Sequence, residues 1–235
     1  KRNMEQFSKF DEKDTAILLT TAVDPVKEFK SDKEREEEIN KRMNIYKDVI
    51  DNYMKKTKVR LFIIESTGNE KLGEIYEKQD RIKYHTFKKK DSLFFNNIDN
   101  KSTSSFEAYS ILTAYQKFNL GTYNKILKIT GRYFVPNIEK IIDEFQEEPD
   151  IYVQNICDFP QKSQRSEVFG MKSNLCPGIM IEVIRQKALM ERILFNLYFK
   201  HETNPDPPFK VQRISKIKLE KPVIRGGDGM SITEL

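Results

Sequence analysis

Two hydrophobic rhythms alternate along the chain. Thr15-Ala16-Ile17-Leu18-Leu19-Thr20-Thr21-Ala22 is a short, continuous apolar run, the pattern of a strand buried on both faces. Val23-Asp24-Pro25 ends it, because Pro25 cannot donate to a ladder. Over 32–55, Ile39, Met43, Tyr46, Ile50 and Tyr53 recur at helical spacing and predict one long helix. Acidic residues (Glu34, Glu36, Glu37, Glu38) crowd its start and Lys55-Lys56 its end, which complements the helix dipole. Val59–Ile64 predicts a second buried strand, and 82–87 a weaker third. A polar loop over 88–104 follows. Ser104-Ser105-Phe106-Glu107 has the S-x-x-E form of a capping box and predicts a helix to about Phe118. Lys125–Ile129 reads as a fourth strand, then a helix capped by Asn137, then a fifth strand over 151–156. The stretch 157–178 reads as irregular, 179–200 as a helix, and 214–219 with 223–224 as late strands.

Strands that alternate with helices and are apolar throughout imply an α/β domain with a mostly parallel central sheet flanked by helices. The expected organisation is a polar lead-in over 1–14, one domain over 15–225 and a flexible tail over 226–235. In such a sheet a ligand site lies at the carboxyl ends of the strands.

Composition narrows the chemistry. The 235 residues include 41 Lys and Arg against 36 Asp and Glu, a net charge of +5 that is mild and interspersed. A dedicated nucleic-acid binder shows a stronger, clustered excess, so no nucleic-acid partner is expected. Two histidines, His85 and His201, and two cysteines, Cys157 and Cys176, exclude a structural zinc cluster and a multi-His metal centre. Two thiols without a disulfide framework fit a reducing, cytoplasmic setting. No apolar run reaches the ~18 residues that would span a bilayer. The chain opens on Lys1 without a signal-peptide pattern, which leaves open an anchor or a domain outside this segment.

Candidate chemistry gathers where the fold would place it. Thr20, Thr21, Ala22 and Asp24 follow the first strand, where small residues let a base or ribose approach the backbone; the alternative is an ordinary Asp-Pro turn. Glu65 stands just past the second strand, either as a nucleotide contact or as a carboxylate capping its own loop. On the fourth strand, alternation puts Lys128, Thr130 and Arg132 on one face around Gly131, a pattern suited to a phosphate. Asp158 and Glu167 are candidate general bases. There is no P-loop, no Rossmann fingerprint and no D-x-D.

Several of these segments, in this order, resemble the glycosyltransferase-like proteins of bacterial surface-polysaccharide clusters and large DNA viruses. The match runs through Leu19–Pro25, Arg42 with Tyr46, and Glu65-Ser66-Thr67-Gly68. It is closest at Leu127-Lys128-Ile129-Thr130-Gly131-Arg132-Tyr133, nearly that family's Lys-x-Thr-Gly-Arg signature. Ser102-Thr103-Ser104-Ser105 stand where the family has glycines. The resemblance implies a GT-A-like fold and transfer of a sugar from a nucleotide-activated donor to a glycan or glycoprotein acceptor, in the cytoplasm or at a membrane surface. It implies nucleotide contacts at Thr20, Thr21, Ala22, Asp24 and Glu65, and phosphate or sugar contacts at Lys128, Thr130, Gly131 and Arg132. Many GT-A enzymes hold Mn2+ or Mg2+ on a D-x-D; without one, Lys128 and Arg132 are expected to meet the leaving diphosphate. A glycan- or protein-binding module on the same scaffold, without catalysis, is the rival expectation.

Overall fold

The computed structural model describes residues 14–24, 29–88, 102–145, 149–155, 157–158, 162–224 and 230–235, with main chain only at 157–158. The elements that position the candidate site come first. Strand β1 (Thr15–Thr21) leads to helix α1 (Asp32–Lys56), β2 (Leu61–Glu65), the short α2 (Lys71–Tyr76) and β3 (Ile82–Thr86). Helix α3 (Thr103–Lys117) then precedes β4 (Lys125–Thr130), α4 (Ile138–Glu144) and β5 (Ile151–Gln154). Two-residue strands β6 (Cys157–Asp158) and β7 (Ser163–Gln164) lead into β8 (Val168–Lys172). Helices α5 (Cys176–Arg185) and α6 (Met190–Thr203), then β9 (Val211–Ile214), β10 (Lys218–Ile224) and β11 (Ser231–Glu234) complete the order.

Seven strands form one sheet in the order β3-β2-β1-β4-β8-β5-β9. All its pairings are parallel except those of β8, which runs antiparallel to β4 and to β5. The mostly parallel α/β sheet expected from the apolar pattern is therefore present. Alternation along β1 sends Ile17 and Leu19 to one face, covered by α1 and α4, and Ala16 and Leu18 to the other, covered by α3, α5 and α6. The two faces are separate apolar cores, and burial on both explains why the strands lack polar alternation.

Helix α1 follows its sequence signals. The Ser31 side chain accepts from the Glu34 N–H, and Tyr46, Val49, Ile50 and Tyr53 are buried on the sheet. Four readings need correction. The segment 157–178 is not irregular throughout, since it contains β8, inserted between β4 and β5. The helix expected over 179–200 is two helices, broken where Lys187 takes a left-handed φ of 52°. The capping box does not form at Ser104: Ser102 is the cap, accepting from the Ser105 N–H at 3.1 Å, which leaves Glu107 inside the helix. The tail is not loose over 230–235: β11 pairs antiparallel with β10, and the Leu235 side chain is buried. The Gly226–Gly229 stretch, most of the 88–104 loop and the lead-in over 1–13 lie outside the described residues.

Candidate functional site

The carboxyl ends of β1, β2 and β4 stand side by side, with Thr20 level with Ile64 and with Thr130. Two carboxylates meet this edge in different ways. Glu65 is fully buried, with 0% exposure. Its Oε1 accepts from the Val23 N–H at 3.0 Å and from the Thr67 hydroxyl. Its Oε2 accepts from the Thr67 N–H, the Asn69 N–H and the Thr86 hydroxyl at 2.9, 2.8 and 2.8 Å. Five donors saturate a group with about four lone-pair sites. Glu65 thus caps its own loop, one of the two roles its position allowed. Gly68, at φ +78°, supplies the left-handed turn that brings Asn69 back to it.

The second carboxylate is Glu107, in the first turns of α3. Its Oε1 lies 2.5 Å from the Lys128 ammonium and accepts from the Thr20 hydroxyl at 3.3 Å. Its Oε2 makes no hydrogen bond among the described residues, and its side chain is 24% exposed. Lys128 is only 1% exposed. The ammonium also donates to the Thr130 hydroxyl and to the Ser166 carbonyl, both at 2.9 Å, and lies 5.2 Å from the centre of the Phe169 ring. Three oxygens therefore account for its three N–H donors. A buried cation of this kind is costly unless paired, and here Glu107 is the pairing charge.

The expected residues divide accordingly. Thr20 and Lys128 converge on Glu107, and the Thr130 hydroxyl meets the same ammonium. Glu167 lies beside them, 8% exposed, its carbonyl accepting from the Thr130 N–H at 2.8 Å. The other candidate base, Asp158, has its side chain outside the described residues. The Thr21 hydroxyl is buried and donates to the Ile64 carbonyl. The Ala22 main chain is held by Tyr46 and by Arg42. Asp24 pairs with Arg35 of α1. Gly131 is required by packing: a Cβ there would lie 2.9 Å from the Thr20 carbonyl oxygen.

Arg132 does not share a face with Lys128. Strand β4 stops at Thr130, so alternation ends before Arg132, which instead lines a groove on the α1 face. Lys128 and Arg132 are not brought together as a phosphate clamp. Among the described residues, no three His, Cys, Asp or Glu side chains gather as metal ligands. The place of a D-x-D in chain order is held by Thr130-Gly131-Arg132, a cation among neutral groups. Among the described residues this edge offers the single open carboxylate of Glu107 and no cluster of metal ligands.

Pattern reading missed Glu107 because its S-x-x-E spacing looks like a cap. The available signal was Ser102-x-x-Ser105, a competing cap two residues earlier.

The fold that carries this edge is also found in solved structures. The chain is similar to the 4-diphosphocytidyl-2C-methyl-D-erythritol synthase of Anaerococcus prevotii at 12% identity, with 95% of this chain and 92% of that one covered and a TM-score of 0.50. It is also similar to a glycosyltransferase involved in the glycosylation of the major capsid of PBCV-1, at 11% identity over 84% of this chain and 80% of that one, TM-score 0.45. A third likeness is to the glycosyltransferase GlyE of Streptococcus pneumoniae, at 10% identity over 86% of this chain and 45% of that one, TM-score 0.46. No family model matches the chain, and no curated protein matches it in sequence. The likeness to the Anaerococcus prevotii protein concerns the fold alone. Among the described residues, no helix is long and apolar enough to cross a membrane.

Proposed function

We propose that the chain is a glycosyltransferase that takes a sugar from a nucleotide-activated donor and passes it to a glycan or glycoprotein acceptor, at a cytoplasmic site or a membrane surface. The observation that carries this is the Glu107 carboxylate, fixed through one oxygen by Lys128 and Thr20 while the other keeps its acceptor capacity at the carboxyl edge. A pinned, half-covered carboxylate is suited to the paired hydroxyls of a ribose or a hexose, each of which must donate to something on leaving water.

Lys128 acts as a positioning residue, since its own donors are occupied: it fixes Glu107 and orients the Thr130 hydroxyl. Thr20, Thr21, Ala22 and Asp24 form the wall against which the nucleotide lies. Glu167, next to Thr130, takes the proton of the acceptor hydroxyl in an inverting reaction, with Asp158 the second candidate for that step.

The test is release of nucleoside diphosphate from a panel of nucleotide sugars in the presence of glycan acceptors. The reading predicts turnover by the wild type and a loss of about 100-fold or more in Glu107→Gln, with the fold retained. Donor binding with no turnover at any acceptor would favour the rival reading, a binding module on the same scaffold.

A further inference from the structure

A second concave region lies on the opposite face of the sheet from Lys128. A cavity of about 530 Å³ runs between α1 and β10, within the size range of small-molecule sites. One wall is a single face of α1, stepping from Glu38 through Arg42, Ile45, Val49 and Asn52 to Lys56. At 1.5 Å per residue that face is ~27 Å long. The other wall is the consecutive stretch Leu219–Ile224. Leu219 and Val223 face the core while Glu220, Lys221, Pro222 and Ile224 are exposed. A wall made of both sets is the edge of the strand, and Pro222 is tolerated there because an edge needs no donor.

Charge within the groove is unbalanced. Arg42 pairs with Glu38, and Lys56 pairs across the groove with Glu220. That leaves Lys41, Arg132 and Lys221 against Asp48. None of the three cations makes a hydrogen bond or an ion pair among the described residues. Arg132 follows Gly131, whose neighbours are Thr20, Thr21 and Tyr46, so it enters the groove at the end nearest the carboxyl edge. Arg42, bonded to the Ala22 carbonyl, marks the same end. Apolar surface takes over further along: Val49 and Phe134 line the groove, and Ile45 and Ile224 remain 39% and 61% exposed beside it. Exposed large aliphatic groups bordering a cationic cleft mark a ligand that is apolar along its length and charged at one end.

We propose that this groove binds an anionic amphiphile of the alkyl phosphate class. The oxyanion head is held by Arg132 and Lys41, and the chain lies along Ile45, Val49, Phe134 and Val223. The Lys56–Glu220 pair closes the far end. The inference does not rest on the transferase reading, because none of these side chains touches Glu107 or Lys128.

The test is calorimetric titration of the full chain with octyl phosphate below its micelle concentration, beside inorganic phosphate and octyl glucoside. Expected is one octyl phosphate per chain, with both other probes at least tenfold weaker. Arg132→Gln should weaken binding tenfold or more, and the exposed-site variant Ile45→Glu several-fold, each with an unchanged melting curve. Co-sedimentation with phosphatidate vesicles, lost in Arg132→Gln, would support the groove with a lipid headgroup as its source. Octyl phosphate binding without co-sedimentation would support it with a soluble ligand. The proposal is overturned if the folded wild type binds no octyl phosphate or if Arg132→Gln binds it equally well. It is also overturned if octyl glucoside or inorganic phosphate binds as tightly, since either result removes the head or the chain from recognition.

Discussion

Glu65 and Glu107 occupy the same edge of the same sheet, yet their surroundings are opposite. Glu65 receives five donors from its own loop, from the turn after β1 and from β3, and no part of it reaches solvent. Glu107 is held at one oxygen by a buried lysine and a threonine, and its other oxygen is uncommitted among the described residues. A carboxylate whose lone pairs are all filled builds the edge. A carboxylate pinned at one side and open at the other has capacity for a ligand. Position at a strand end therefore does not separate scaffold from site; the donor count does.

The largest expected effect is on Glu65. Glu65→Ala strips the acceptors from three main-chain N–H groups and from the Thr67 and Thr86 hydroxyls, which should cost about 4 kcal/mol and lower the melting temperature by roughly 8–16 °C. Urea denaturation of the variant checks this. A loss under 1 kcal/mol would break the contrast, because Glu65 would then not be structural. Lys128→Met comes next, at about 2 kcal/mol. It leaves Glu107 without its counter-charge, but the 24% exposure of that side chain lets water offset part of the loss. Adding Glu107→Gln to Lys128→Met should recover part of that cost, and a double-mutant cycle reads the coupling directly. If the two changes are additive, the pair is not a unit. Gly131→Ala forces a methyl group against the Thr20 carbonyl and should cost about 1.5 kcal/mol by thermal melting.

The smallest effect tests the core beneath the edge. Burial pushes the Cys176 thiol up to about 12. The folded state then holds this proton more tightly than the unfolded chain. Its contribution to stability is full below the ordinary thiol value of 9.0 and is lost as pH rises towards 12. At pH 8, iodoacetamide should leave Cys176 unmodified in the folded protein, as read by peptide mass spectrometry. Rapid native-state alkylation at Cys176 would contradict the packing of α5.

The apolar pattern made much of the fold legible. β1, α1, β2 and β4 appear in the sequence because each is a continuous run or a clean 3–4 spacing. Strand β8 does not: Phe169 and Met171 are separated by Gly170, which packs against the Ile126 carbonyl and breaks the run. The pairing of β10 with β11 is hidden in the sequence by Gly226-Gly227-Asp228-Gly229 between them, which reads as a loose tail. At the site, Thr20, Lys128, Thr130 and Glu167 were visible as polar residues at strand ends; Thr20 and Lys128 meet Glu107, Thr130 meets the Lys128 ammonium, and Glu167 meets Thr130 through its main-chain carbonyl. The saturation of Glu65 was not visible, because its donors come from the turn after β1, the loop after β2 and β3. Arg132 looked like a partner of Lys128 only while the strand was assumed to run through Gly131; the close approach of Thr20 and Thr21 to Gly131 goes with a turn there instead.

The most direct test of the central claim is a thermal-shift comparison of wild type and Glu107→Gln across a panel of nucleotide sugars. A ligand that binds only the native state raises the melting temperature in proportion to its occupancy. The account predicts that at least one nucleotide sugar stabilises the wild type, and that Glu107→Gln, whose unliganded melting temperature falls by roughly 4–8 °C because Lys128 loses its counter-charge, stays folded and gains no such shift. An equal shift in both proteins, or none in the wild type with any nucleotide sugar, would contradict the assignment of Glu107 to the donor site.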